Sequence, residues 1–153
     1  MLPFLFNAWL AAVTQAAPLN NCLAGTGATL VYPNSPSYAN LSMPDTTDFQ
    51  YEPSVVAIPS STQQVADTVK CVSADQGKTS LTVVGGGHNL VGYAYSGNVV
   101  MLSDNMTDIT IDDANKQVSV GSGQKLGNIA KAIGAKGYAL PHGRYMQLKI
   151  YLI

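Results

Sequence analysis

The chain has 153 residues, enough for one compact domain and not comfortably for two. Apolar residues make up 46% and charged residues 11%, which argues against a disordered chain. The net charge of −1, the scattered lysines and tyrosines not interleaved with Arg or Lys exclude a nucleic-acid groove and a polybasic membrane patch.

At the N-terminus, Leu2 to Val13 is an apolar run too short to span a bilayer. Thr14-Gln15-Ala16 before Ala17 fits a cleavage site, and Pro18 disfavours a cut after Ala17. Residues 1–16 are therefore read as a secretory signal peptide. The n-region holds no Lys or Arg, so an anchoring or buried helix is the competing interpretation. In an oxidising compartment Cys22 and Cys71 are expected to pair, the alternative being two buried thiols. A bridge closing a loop of that length contributes ~4 kcal/mol in the chain-entropy picture. Asn40-Leu41-Ser42 and Asn105-Met106-Thr107 are glycosylation sequons, in keeping with export.

Leu19 to Glu52 is rich in Asn, Ser, Pro and Thr without periodicity and predicts an irregular surface arm. Pro53 to Pro59 is a short apolar strand between prolines. Ser61 with Gln64 forms a capping-box pattern, and Val65, Val69 and Val72 form a helical stripe that Gly77 ends. Leu81 to Val84 and Val99 to Leu102 read as buried strands. Ile109/Ile111 and Val118/Val120 alternate around Asp112–Lys116 as a hairpin. A second helix carries Leu126, Ile129, Ala130 and Ile133, with Gly137 near its end. This order implies an α/β or α+β sheet with helices on at least one face.

The stretch that points to chemistry is Gly85-Gly86-Gly87-His88-Asn89, directly after a strand. Glycines admit left-handed backbone, and successive N–H groups can converge into a nest for phosphate oxygens. No Gly-Lys-Ser/Thr follows, so it is not a Walker loop, and the G-x-G-x-x-G spacing is also missing. Spacing alone fits a plain glycine turn as well as a phosphate cradle. His88 suits a structural role, a base, a metal ligand or a nucleophile toward a cofactor. The only other histidine, His142, lies far along the chain, so neither a zinc site nor a Ser-His-Asp hydrolase is supported, and no metal is expected.

Several segments in one order resemble a known family. They are Val56 to Val65, Gly85 to Asn89, Asp104-Asn105-Met106, Gly121 to Gly127 and Leu140-Pro141-His142-Gly143. From about Cys22 to Gly143 the chain resembles the N-terminal FAD-binding region of berberine-bridge-enzyme-like and glucooligosaccharide-oxidase-like flavoproteins, within the vanillyl-alcohol-oxidase family.

The resemblance implies the first half of a PCMH-type FAD-binding domain, an α+β (α/β) fold with a small mixed sheet and flanking helices. It divides the chain into an arm at 17–52, a partial FAD-binding domain at 53–143 and a non-homologous tail at 144–153. Gly85, Gly86 and Gly87 would wrap the FAD pyrophosphate, with Asn89 and Gly92 in the same cofactor-binding loop. His88 matches the histidine joined to the flavin 8α-methyl carbon, and His142 lies in a loop approaching the flavin from the other side. Relatives often carry a disulfide where Cys22 and Cys71 stand. The implied activity is a secreted oxidase of an alcohol or carbohydrate, which loses a proton to a base and a hydride to the flavin while dioxygen becomes hydrogen peroxide.

The resemblance stops at Gly143. Family members continue with a Cys-Pro and glycine-rich segment, whereas Arg144 to Ile153 contains neither Cys nor Gly. The chain is thus expected to be an incomplete fragment about a third of a relative's size, without the catalytic base and inactive by itself. A retained intron is one expected origin, because Arg144-Tyr145 codons can hold a GT splice donor. A sheet cut at its midpoint would leave an apolar face uncovered and the product aggregation-prone, with weak FAD binding and no covalent adduct. Two rivals are a small secreted non-catalytic binding glycoprotein, which would be folded and colourless, and an unrelated hydrolase or lyase built around His88 and His142.

Overall fold

The computed structural model describes residues 18–44, 49–87 and 91–141. Its centre is a four-stranded sheet in the order β1-β2-β4-β3, built from β1 (Thr29–Val31), β2 (Val55–Ile58), β3 (Leu81–Val84) and β4 (Val99–Leu102). β1 runs antiparallel to β2, while β2, β4 and β3 are parallel. Both central strands are buried at every position, as expected of a parallel strand covered on its two faces. The sheet and helices agree with the mixed α/β architecture expected from the sequence.

Alternation along each strand sends neighbouring side chains to opposite faces. Val55, Ala57 and Val99 pack with Leu23, Cys71 and Val72, so α1 (Leu19–Gly25) and α3 (Thr62–Ala74) cover one face. Val56, Ile58, Val100, Val84 and Leu102 pack on the other side against Tyr38 and Leu41 of α2 (Tyr38–Ser42), and against Ala94 and Tyr95 of a short 3-10 turn. Burying each such valine contributes about 1.5–3 kcal/mol, which makes these faces the main support of the fold.

The segment predicted as an irregular arm holds α1, β1 and α2. These elements are seven, three and five residues long, too short to show a periodicity. What orders them is long-range: Leu23 is fully buried against α3, and β1 pairs Leu30 with Ala57. Cys22 and Cys71 form the expected disulfide, with a Cα–Cα distance of 5.6 Å, tying α1 to α3.

α3 begins as its capping residues predict, with the Ser61 hydroxyl accepting from the Gln64 N–H at 3.3 Å. The Gln64 side chain reaches back to the Ser60 N–H at 2.8 Å, one residue before the position a capping box would use. The valine stripe differs from expectation. Thr68, Cys71 and Val72 face the sheet, and Val69 is 43% exposed. The buried stripe thus runs through Thr68, Cys71 and Val72, and Cys71 is bonded to α1 through Cys22. The helix ends at Ala74, and the chain turns through positive φ at Gln76 and Gly77.

β5 (Ile109–Asp112) and β6 (Gln117–Val120) form the predicted hairpin, turning at Lys116 with φ 56°. Asp112 accepts from the Asn115 N–H at 3.0 Å and from its side-chain amide at 2.6 Å, and this pair holds the Asp112 carboxyl below its ordinary pKa. α4 (Leu126–Gly134) packs on β5 through the expected apolar stripe, with Leu126, Ile129 and Ile133 buried.

The hairpin and α4 join the sheet by backbone-to-backbone contact. A Cβ placed on Gly121 would lie 2.2 Å from the Met106 carbonyl oxygen, and one on Gly123 would lie 2.1 Å from that of Ser103. The Gly123 N–H donates to Met106 O at 2.9 Å, and buried Gln124 donates to Thr107 O at 2.6 Å. Only glycine lets these two chain segments approach this closely.

Gly123→Ala is expected to destabilise by about 2–3 kcal/mol through this overlap. Gly134→Ala, which meets nothing within 4 Å in the last turn of α4, should be neutral or stabilise by up to about 1 kcal/mol. Urea unfolding of both variants checks the contrast. Reducing Cys22–Cys71, or replacing both with Ser, should lower stability by ~4 kcal/mol in the same assay.

Candidate functional site

Because β3 and β4 pair in parallel with Val84 opposite Leu102, the loops leaving their carboxyl ends emerge side by side. Ligands of open α/β sheets collect at that end of the strands. Here the loops border a cavity of about 140 Å3. Gly85, Gly86 and Gly87 form one wall, Asp104 stands beyond the end of β4, and Asn40 with Leu41 comes from α2. Tyr95 completes the rim, and the buried side chains of Val84 and Leu102 lie at the strand ends.

Gly87 has φ 74°, a conformation open to glycine at little steric cost. A Cβ there would meet nothing closer than Tyr95 Oη at 3.8 Å, so the backbone angle, and not crowding, selects glycine. Gly92, with φ 67°, differs. A Cβ on it would stand 2.8 Å from Pro44 Cγ and 3.3 Å from Tyr51 Cε2. It does not line the cavity, and it lets the glycine loop lie against the arm. Tyr51 Oη secures the same place by donating to Val91 O at 2.8 Å. His88, Asn89 and His142 fall outside the described residues.

The arm side of the site is held by Tyr38, whose hydroxyl donates to Pro53 O at 2.5 Å. Burial pushes the Tyr38 phenol above its ordinary pKa, the hydrogen bond with Ser42 opposes the shift, and the negative charge of Glu52 adds to it. Tyr38 therefore serves as a neutral donor at ordinary pH, anchoring α2 beside the glycine loop. Asn40, Leu41 and Tyr95 were not legible as site residues, because neither α2 nor the 3-10 turn leaves a sequence signature. Asp104 lay within a segment of the family resemblance, but only the register of β3 with β4 places it opposite the glycines.

The cavity tests the fit of a nucleotide cofactor. Its volume suits a diphosphate and falls below the usual range for a complete drug-sized ligand. Glycines border the space, and among the described residues neither Lys nor Arg lines it, so backbone N–H groups are the phosphate donors that the described part of the site can offer. These features fit the pyrophosphate portion of FAD. A second concavity of about 190 Å3 lies between the β5–β6 hairpin and α4, lined by Ile111, Val118, Ile133 and Leu140. Asp112, Lys116, Gln117 and Tyr138 also line it, and no glycine loop borders it. Among the described residues no group of three or more His, Cys, Asp or Glu is arranged to hold a metal, and no helix is long and apolar enough to cross a membrane.

Comparison with known proteins agrees with this geometry. The FAD binding domain family matches residues 53–148. An FAD-linked oxidoreductase of Penicillium rubens is 30% identical over 135 residues, covering 87% of this chain and 28% of the relative. The glucooligosaccharide oxidase of Sarocladium strictum is 29% identical over 144 residues, covering 88% of this chain and 28% of the relative. Among solved structures, the glucooligosaccharide oxidase of Acremonium strictum, with its 6-S-cysteinyl, 8α-N1-histidyl FAD, has a TM-score of 0.74 at 28% identity. That alignment covers 86% of this chain and 28% of the other. The chain thus spans little more than a quarter of these relatives' length. A match across more than half of this sequence, on a fold whose glycine loop forms a phosphate-sized cavity, shows that the chain belongs to the FAD binding domain family.

Proposed function

We propose that the chain supplies the pyrophosphate-binding side of the FAD site in a secreted oxidoreductase acting on an alcohol or carbohydrate. The observation that carries this reading is the cavity at the carboxyl ends of β3 and β4, walled by Gly85, Gly86 and Gly87. Their backbone N–H groups would receive the phosphate oxygens. His88 and Asn89, next in sequence, would add to the cofactor contacts, with His88 the position for a covalent tether. His142, by the family resemblance, would be a further cofactor-binding residue. When bound, FAD supplies a two-electron acceptor for the alcohol carbon. No residue of this chain is assigned as the base, so its role is to bind and orient.

The domain division follows the same reading, with a signal peptide at 1–16, an arm at 17–52, FAD-binding residues at 53–143 and a tail at 144–153. Export is supported by the apolar run Leu2 to Val13 and by the Cys22–Cys71 disulfide, a bond typical of oxidising compartments. Asn105, the acceptor of one sequon, is exposed, in keeping with a glycoprotein, whereas Asn40 of the other lines the cavity.

Equilibrium dialysis of the full chain against FAD should show weak, reversible binding that ADP competes away, because contacts to only part of a cofactor give limited affinity. Acid precipitation should release the flavin. Failure to bind both FAD and ADP would overturn the reading. Flavin retained through precipitation by the wild type and lost in His88→Ala would show the tether forming within this chain alone.

A further inference from the structure

We propose that Asn40 is a modification site that gates the cofactor cradle: a glycan on its side-chain amide and a nucleotide on Gly85–Gly87 exclude one another. The inference rests on the reading of the glycine loop as a pyrophosphate cradle and adds a control to it. Asn40 heads the sequon Asn40-Leu41-Ser42, and it lines the same cavity as the three glycines. In N-glycosylation the Asn Nδ2 bonds to the anomeric carbon of a sugar, the bond from that carbon to a lipid diphosphate carrier breaks, and an amide proton is lost. The first sugar is then fixed to a residue of the cavity wall. At about 140 Å3 the cavity takes a diphosphate but not the rest of a dinucleotide, whose ends must leave past the rim. A glycan turned inward fills the cradle, and one turned outward stands at the rim beside Leu41.

α2 is not free to carry the sugar aside. Tyr38 Oη donates to Pro53 O at 2.5 Å, Leu41 packs on the sheet, and Ser42 is only 2% exposed. Swinging the helix away would break that hydrogen bond and return the apolar surface of Leu41 to water. Burial of Ser42 also sets the order of events. Glycosylation reads the Asn together with the hydroxyl two residues on, so Asn40 can be modified only before α2 packs. The second sequon differs on each point. Asn105 and Thr107 are both exposed after β4, and neither lines the cavity. A glycan on Asn105 therefore leaves the cradle open and can be added to the folded chain.

The test places a sugar at each sequon after folding. Cys22 and Cys71 are the chain's only cysteines and are paired, so Asn40→Cys or Asn105→Cys in the full chain supplies a single reactive thiol. Each folded variant is coupled to an iodoacetamide derivative of N-acetylglucosamine, and ADP binding is measured before and after. Coupling at Asn40→Cys is expected to weaken ADP binding about tenfold or more, and coupling at Asn105→Cys to change it by less than about twofold. Unchanged binding after coupling at Asn40→Cys would overturn the inference while leaving the cradle intact. A glycan found on Asn40 in the ADP-binding fraction of chain secreted by a glycosylating host cell would do the same. Equal losses from the two couplings would also overturn it, because the defect would then be general. Absence of ADP binding by the wild type would sink the cradle reading and the gate with it.

Discussion

The site depends on one alignment, the parallel pairing of β3 with β4. Leu81 faces Val99 and Val84 faces Leu102, so the two strands finish level with one another. A register slip of one residue would turn every side chain of β3 to the opposite face. Val84 would leave the core, and the glycine loop would shift away from Asp104. The register is secured at the other end by polar clamps. Asn98 Oδ1 accepts from the Ser80 N–H at 3.0 Å, the Ser80 hydroxyl accepts from the Asn98 N–H at 3.0 Å, and the Thr82 hydroxyl accepts from the Gly97 N–H at 3.2 Å. Side chains that touch no ligand thus determine where the glycines open.

A second constraint ties the remaining elements to this one. The hairpin and α4 approach the sheet through Gly121 and Gly123, whose missing side chains allow their backbone to rest on the turn after β4. The same turn carries Asp104 and exposed Asn105. Close approach at the glycines therefore steadies a wall of the cavity as well as joining two layers. On the far side the disulfide ties α1 to α3, with Cys71 on the face of α3 that meets the sheet.

How much of this was legible depended on whether the deciding interaction was local. Val55–Ile58, Leu81–Val84 and Val99–Leu102 are short apolar runs bounded by residues that break strands, so sequence alone marks them. The hairpin and α4 carry clear period-2 and helical patterns. The arm could not be read that way, because Leu23 and Leu30 are placed by partners that are distant in sequence. Val69 misled for a related reason. A valine at helical spacing looks like core, but the buried face runs through Thr68, Cys71 and Val72, where Cys71 is bonded to a residue far away in sequence. At the site, the glycine loop announced itself, whereas Asn40 and Asp104 acquire meaning only when α2 and the β4 turn are brought beside it.

The most direct measurement is amide chemical-shift mapping of the isotopically labelled chain during titration with ADP. Perturbations centred on Gly85, Gly86 and Gly87, and extending to Asn40 and Asp104, are expected if the carboxyl ends of β3 and β4 form the cofactor cradle. Shifts centred on Ile111, Val118 and Ile133 would instead place binding in the groove between the hairpin and α4. That outcome would overturn the assignment of the glycine loop as the cofactor site.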